Sequence, residues 1–185
     1  MSSDGLDSLV YPPSEDSELL LDVARREVRE EDVVLEVGTG SGFVAEKLKG
    51  LCKMIVATDI SPVAVREAKS KGVEVVRTDL FRGLKRVFTL VLFNPPYLEL
   101  EEGEKRGNWL DLALDGGKGG VEVAVKFVEV LDEVMLPEGR AIVILSSLSD
   151  VQRFLDFCSS RYCVETVGRR KLFFEELYAF KLIRL

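Results

Sequence analysis

Short apolar runs alternate with amphipathic segments along this chain of 185 residues. Val33-Val34-Leu35-Glu36-Val37 reads as a buried strand, and the helix after it runs from Phe43 to Leu51. Met54-Ile55-Val56-Ala57-Thr58 is a second strand, Val73 to Val76 a third, Thr89 to Phe93 a fourth and Arg140 to Leu145 a fifth. Ser14-Glu15-Asp16-Ser17 reads as a helix start, because Leu19, Leu20, Val23, Ala24 and Val28 then recur at helical spacing. Further helices are expected from Pro62 to Lys71, Val121 to Met135 and Ser149 to Ser159. Tyr162 to Val167 and Leu177 to Ile183 close the chain as two strands. Strands alternating with helices predict a single α/β domain over residues 1–185: a seven-stranded, mostly parallel sheet, helices on both faces and a C-terminal antiparallel hairpin. The polar stretch from Glu99 to Gly120 predicts a mobile loop over the carboxyl end of that sheet, and loops of such length are often functional.

Composition narrows the chemistry. The chain has no histidine, which removes Ser–His and Cys–His nucleophilic catalysis and most transition-metal sites. Cys52, Cys158 and Cys163 form no C-x-x-C pair and are expected as small reduced core residues, not a disulfide framework or zinc site. A net charge of −7 argues against a duplex nucleic-acid partner, and the one basic cluster, Arg169-Arg170-Lys171, is expected as a solvated turn. No apolar stretch is long enough to span a bilayer, and Met1 to Gly5 lacks the regions of a signal peptide, so cytoplasm is the expected location.

Four strand ends carry candidate chemistry. Gly38-Thr39-Gly40-Ser41-Gly42 follows the first strand and precedes a helix, so a ligand can approach its backbone. The spacing is G-x-G-x-G, with Phe43 at the last position of the dinucleotide fingerprint, where a phenylalanine blocks the close helix–strand approach a third glycine allows. Glu36 beside this loop would repel a pyrophosphate and attract an amine or cation; its other reading is an anchor for loop amides. S-adenosylmethionine, with a sulfonium, an amino group and no phosphate, fits. Asp59 ends the second strand 21 residues after Gly38, at the distance where a carboxylate accepts ribose hydroxyls. Ser61 is better placed than Asp59 to cap the helix that Pro62 opens. Asp79 at the third strand end can accept from an adenine amino group while Leu80 packs on the ring. At the fourth, Asn94-Pro95-Pro96-Tyr97 offers an amide oxygen, carbonyls without helical partners and a flat ring, a set able to grip a planar –NH2 group.

With these motifs the chain resembles the class I S-adenosylmethionine-dependent methyltransferases, whose fold is Rossmann-like. More narrowly it is similar to the HemK-type protein-glutamine N5-methyltransferases in a short form without an amino-terminal domain. The specific part is Val10-Tyr11-Pro12-Pro13-Ser14-Glu15-Asp16-Ser17. The resemblance implies cofactor contacts from Ser17, Glu36, Gly38, Gly40, Gly42, Asp59, Asp79, Leu80 and Asn94, with Asn94, Pro95, Pro96 and Tyr97 holding the substrate amide. It implies as substrate the glutamine of the Gly-Gly-Gln loop of a class-1 translation release factor. It also implies a small zinc-binding activator subunit on an apolar sheet edge. Where the family commonly has a tryptophan before a Gly-Gly pair, Leu114-Asp115 precedes Gly116-Gly117, and Trp109 lies earlier.

The same grip serves adenine N6 and guanine N2, so a nucleic-acid methyltransferase is one alternative. A protein lysine methyltransferase is another. A nicotinamide-dependent reductase is opposed by Phe43 and by the absence of a catalytic His or Tyr-x3-Lys, and a non-catalytic scaffold by the Asn94 motif.

Overall fold

The computed structural model describes residues 10–101, 103, 107 and 109–185. Its strands are β1 (Val33–Val37), β2 (Met54–Asp59), β3 (Val75–Arg77), β4 (Phe88–Phe93), β5 (Met135–Ser146), β6 (Tyr162–Lys171) and β7 (Glu176–Arg184). They form one sheet in the order β3-β2-β1-β4-β5-β7-β6. The first five are mutually parallel, and β7 is antiparallel to both β5 and β6. This is the expected mostly parallel sheet with its terminal hairpin.

Period-two alternation sends neighbouring residues to opposite faces. Val34, Leu90, Leu92, Ile142 and Ile144 pack on one side with α1 (Glu15–Glu27), α2 (Phe43–Leu48) and α3 (Pro62–Ser70). Leu35, Val37, Val91, Phe93, Val143 and Leu145 pack on the other with α5 (Glu122–Val130) and α6 (Val151–Cys158). Both faces are covered, which is why these strands read as apolar runs. Local signals agree. Acids fill the first turn of α1 and Arg25 and Arg26 its last, matching the helix dipole. Ser61 Oγ accepts from the Val63 and Ala64 amides, and Pro62 opens α3.

Several expectations need correction. The helix expected to reach Met135 ends at Val130, and a 3₁₀ turn over Leu131–Glu133 leads directly into β5. The strand expected from Arg140 begins at Met135 as β5, and its register against β4 shifts between Phe88 and Leu90 across Leu136 to Gly139. The polar stretch holds a short helix, α4 (Trp109–Leu114), and a 3₁₀ turn over Lys118–Gly120; the remainder of its charged run falls partly outside the described residues. Arg169-Arg170-Lys171 is not a turn. It ends β6, where Arg170 pairs with Glu18 at 2.7 Å and Asp22 at 2.9 Å on α1, and Arg169 lies over the Tyr178 ring. Of the cysteines only Cys158 is buried; Cys52 is half-buried and Cys163 exposed on β6. No helix among the described residues is long and apolar enough to cross a membrane.

Candidate active site

A cavity of about 450 Å³ lies at the carboxyl ends of β1, β2 and β4, roofed by α4 and by the segment leading into α1. Ser17, Glu36, Gly38, Gly40, Asp59, Asp79, Leu80, Asn94, Pro95, Pro96 and Tyr97 all line it. Gly42 does not. Its φ of +78° starts α2, and a Cβ there would sit 3.0 Å from the Ala68 Cα and Cβ of α3. The close approach that a third glycine gives a dinucleotide fold occurs here between two helices, one residue before Phe43.

Glu36 is buried, and its Oε2 accepts from Thr39 Oγ1 at 2.7 Å and the Ala45 amide at 2.8 Å. It therefore anchors the glycine loop and the start of α2 while also facing the cavity. Burial pushes its carboxyl up to about 7, against the pull of those two donors. Asp59 takes the Gly40 amide on Oδ2 and the Ser61 amide on Oδ1, each at 2.8 Å, and burial likewise raises its pKa. The cap of α3 belongs to Ser61, as expected. Asp79 is exposed and lies 3.6 Å from Arg82. Leu80 has φ +52°, and Thr58 Oγ1 fixes its carbonyl at 2.6 Å. A leucine held in the left-handed region is strained backbone of the kind found at ligand sites.

Asn94 Oδ1 is buried and has no hydrogen-bond partner among the described residues. The backbone after it is clasped. The Tyr97 carbonyl accepts from Ser149 Oγ at 3.1 Å, and the Leu98 amide and carbonyl bond Leu114 and Gly116 at 3.0 and 2.7 Å. A Cβ on Gly116 would lie 2.6 Å from the Pro96 carbonyl oxygen, and one on Gly120 would collide with that of Tyr97. These glycines let the stretch ahead of α5 lie flat against the Asn-Pro-Pro-Tyr backbone.

Sequence reasoning missed two contributions. Asp16 is buried: its Oδ1 accepts from the Ser17 amide at 2.6 Å and its Oδ2 from the Tyr97 hydroxyl at 3.1 Å. Burial and then the Asp16 charge raise the Tyr97 pKa, so the phenol stays a neutral donor. The second is α4, whose Trp109 and Leu112 line the cavity, with Arg77 over the indole at 5.9 Å. The two Gly-Gly pairs at 116–117 and 119–120 were the available signal for the clasp.

The electrostatics are one-sided. Asp16, Glu36, Asp59, Asp79, Asp115 and Glu175 line the cavity, and among the described residues no Lys or Arg does. Such a site disfavours a phosphate and favours a ligand carrying an amine or a fixed positive charge. With hydroxyl acceptors at Asp59, an apolar platform at Leu80 and an orphan acceptor at Asn94, the lining fits S-adenosylmethionine beside a substrate amide.

The comparisons agree. Residues 35–92 match the family model described as a methyltransferase domain. A Methanocaldococcus jannaschii protein assigned by name to the protein N5-glutamine methyltransferases is 37% identical over 185 residues, covering 95% of this chain and 92% of its own. The human methyltransferase HEMK2 is 34% identical over 151 residues, 73% of this chain and 71% of its own. Among solved structures, Mtq2 of E. cuniculi, from a complex with Trm112 responsible for methylating the eRF1 termination factor, superposes with a TM-score of 0.80 at 26% identity. That match covers 95% of this chain and 99% of Mtq2. A HemK-type motif set, a class I fold and a near full-length relative converge: the chain belongs to the protein-glutamine N5-methyltransferase family.

Proposed function

We propose that this methyltransferase uses S-adenosylmethionine to methylate N5 of the glutamine in the Gly-Gly-Gln loop of a class-1 translation release factor. The observation that carries the reading is the buried, unpartnered Asn94 Oδ1 in a carboxylate-lined cavity. An acceptor removed from water without a partner costs about 1–3 kcal/mol, and a substrate N–H relieves that cost.

Bound, the donor would supply an electrophilic methyl on a sulfonium. Glu36 would hold its amino group, Asp59 its ribose hydroxyls, Asp79 and Leu80 its adenine, with Ser17, Gly38 and Gly40 closing the cradle. Asn94 Oδ1 and the Pro95 carbonyl accept the two N–H bonds of the substrate amide. They turn its nitrogen lone pair out of conjugation and stabilise the positive charge that develops on nitrogen. Pro96 and Tyr97 wall the planar amide, and the Asp16–Tyr97 bond fixes that wall. No general base is required; the surplus proton leaves to water after transfer. A chain without histidine can do this chemistry.

A small zinc-binding activator subunit would sit on the β3 edge, where three-residue β3 leaves Val76 exposed beside exposed Ile60. Unpaired apolar edges invite such cover. The cytoplasm, where release factors act, is the proposed location. Lysine methylation is the second reading, since a carboxylate-lined entrance also admits an ammonium. A lining without Lys or Arg among the described residues weighs against a nucleic-acid substrate.

Labelled donor, this chain, a candidate activator and a release factor, followed by mass spectrometry, test the reading. A single added methyl on the glutamine of the Gly-Gly-Gln loop is expected. Label on lysine, RNA or DNA instead would overturn it.

A further inference from the structure

We propose that the tip of the β6–β7 hairpin, Phe173-Phe174, is a docking contact for the acceptor protein, gripping apolar release-factor surface beside the glutamine loop. This rests on the substrate assignment above. The two rings are 91% and 86% exposed and meet edge-to-face at 4.5 Å between centroids. A hairpin turn needs no such residues. Gly, Asn, Asp and Pro supply turn geometry, yet Leu172-Phe173-Phe174-Glu175 contains none of them.

The tip is held stiffly. The Leu172 amide bonds the Glu175 carbonyl at 2.8 Å, Ser146 Oγ donates to the Glu175 carboxylate, and the Ser147 amide bonds the Glu176 carbonyl at 2.8 Å. A turn backbone tied in place before binding lowers the entropy cost of a later contact.

Its position names the occupant. Glu175, the residue after the pair, lines the catalytic cavity, so the rings stand at its mouth. Leu148, 60% exposed, donates its amide to the same Ser146 Oγ and extends the apolar surface. A folded acceptor that lowers a glutamine to Asn94 must lay its flanks across this rim. The activator is a poor candidate, because β3 and β6 are opposite edges of the sheet. Aromatics are enriched at interface cores, and a Phe side chain buries roughly 150–250 Å².

The test is the double variant Phe173→Ser/Phe174→Ser, assayed for methyl transfer to intact release factor and to a short Gly-Gly-Gln peptide. Expected is a rise of about tenfold or more in KM for the intact factor, with kcat, donor affinity, Tm and the peptide's KM unchanged, and recovery in Phe173→Leu/Phe174→Leu. An unchanged KM for the intact factor would overturn the proposal, as would an equal loss on the peptide. So would a change in oligomeric state or in activator binding that accounts for the loss. If the wild-type chain transfers methyl to neither acceptor, the substrate assignment falls and the proposal with it. If wild type transfers and the variant matches it, only the docking contact falls.

Discussion

Asn94 sits in the free molecule with its side-chain oxygen buried and unmatched. That is a standing cost to folding, so removing the group separates stability from chemistry. Asn94→Ala is expected to lower kcat about 100- to 1000-fold, the loss typical of one charge-stabilising acceptor, while Tm holds or rises slightly. Steady-state kinetics beside thermal melts check both halves. Glu36 gives a pH signature. Its folded carboxyl titrates near 7 against an ordinary 4.5, because burial penalises the charge. The folded state therefore holds a proton through that window that the unfolded chain has lost. The contribution of this group to stability falls as pH rises from about 4.5 to 7, by about 3 kcal/mol, and Glu36→Gln removes the slope. A cationic donor favours the ionised form, so its affinity should tighten from pH 6 to 8 in wild type and lie flat in Glu36→Gln; calorimetric titration at several pH values decides this. Glu36, Asp59 and Asn94 were legible in the sequence because each lies at the end of an apolar run or one residue before it. Asp16 was not: its role is a bond to Tyr97 across 81 positions, and locally it looks like any acid in a first helical turn.

Strands buried on both faces announce themselves, and β1, β2 and β4 were readable to within a residue or two. β5 was readable only in its apolar half, since Leu136-Pro137-Glu138-Gly139 carries turn residues and falls in the irregularity between the Met135–Phe88 and Arg140–Leu90 pairs, where it has no partner on β4. α4 was illegible because six residues in a charged stretch show no periodicity, and what places them is the cavity they roof. The glycine clasp at 116–120 was equally hidden, because its meaning lies in the distance to another backbone. Gly120 combines φ +65° with a Cβ position that meets the Tyr97 carbonyl. Gly120→Ala adds left-handed strain of about 1–2 kcal/mol to that collision. It should displace Tyr97, cut transfer by tenfold or more and leave donor binding intact, since the glycine loop and Asp59 lie elsewhere along the sheet. Trp109 supplies the readout. It is the chain's single tryptophan and lines the cavity, so its emission should change on donor binding in both wild type and Gly120→Ala.

Across the whole molecule the sheet divides into a working end and a holding end. The cavity occupies the carboxyl ends of the strands, as open α/β sheets require. At the amino ends Arg140 of β5 bonds Asp32, just before β1, at 2.7 Å and the Thr89 carbonyl of β4 at 3.2 Å. It also reaches the Glu27 carbonyl at the end of α1, and Thr89 Oγ1 donates to Asp32 at 2.7 Å. Burial alone would raise the Asp32 pKa, but the Arg140, Thr89 and Arg29 amide donors outweigh it and hold the carboxyl below its ordinary value. A depressed carboxylate stabilises the fold above its unfolded pKa, and that support is lost as pH falls through the folded value. Arg140→Ala leaves Asp32 buried and charged, which should cost about 3–5 kcal/mol at neutral pH. The penalty should shrink in acid, where Asp32 takes up a proton and no longer needs the guanidinium. Denaturant melts of wild type and variant at neutral and acid pH measure that difference. Because the network lies at the far end of the strands from Asn94, the variant's folded fraction should still bind the donor and transfer methyl at the wild-type rate. Arg140→Ala thus loses stability and keeps catalysis, while Asn94→Ala does the reverse. An Arg140 variant that kept its stability but lost its rate would mean that the two ends of the sheet are coupled.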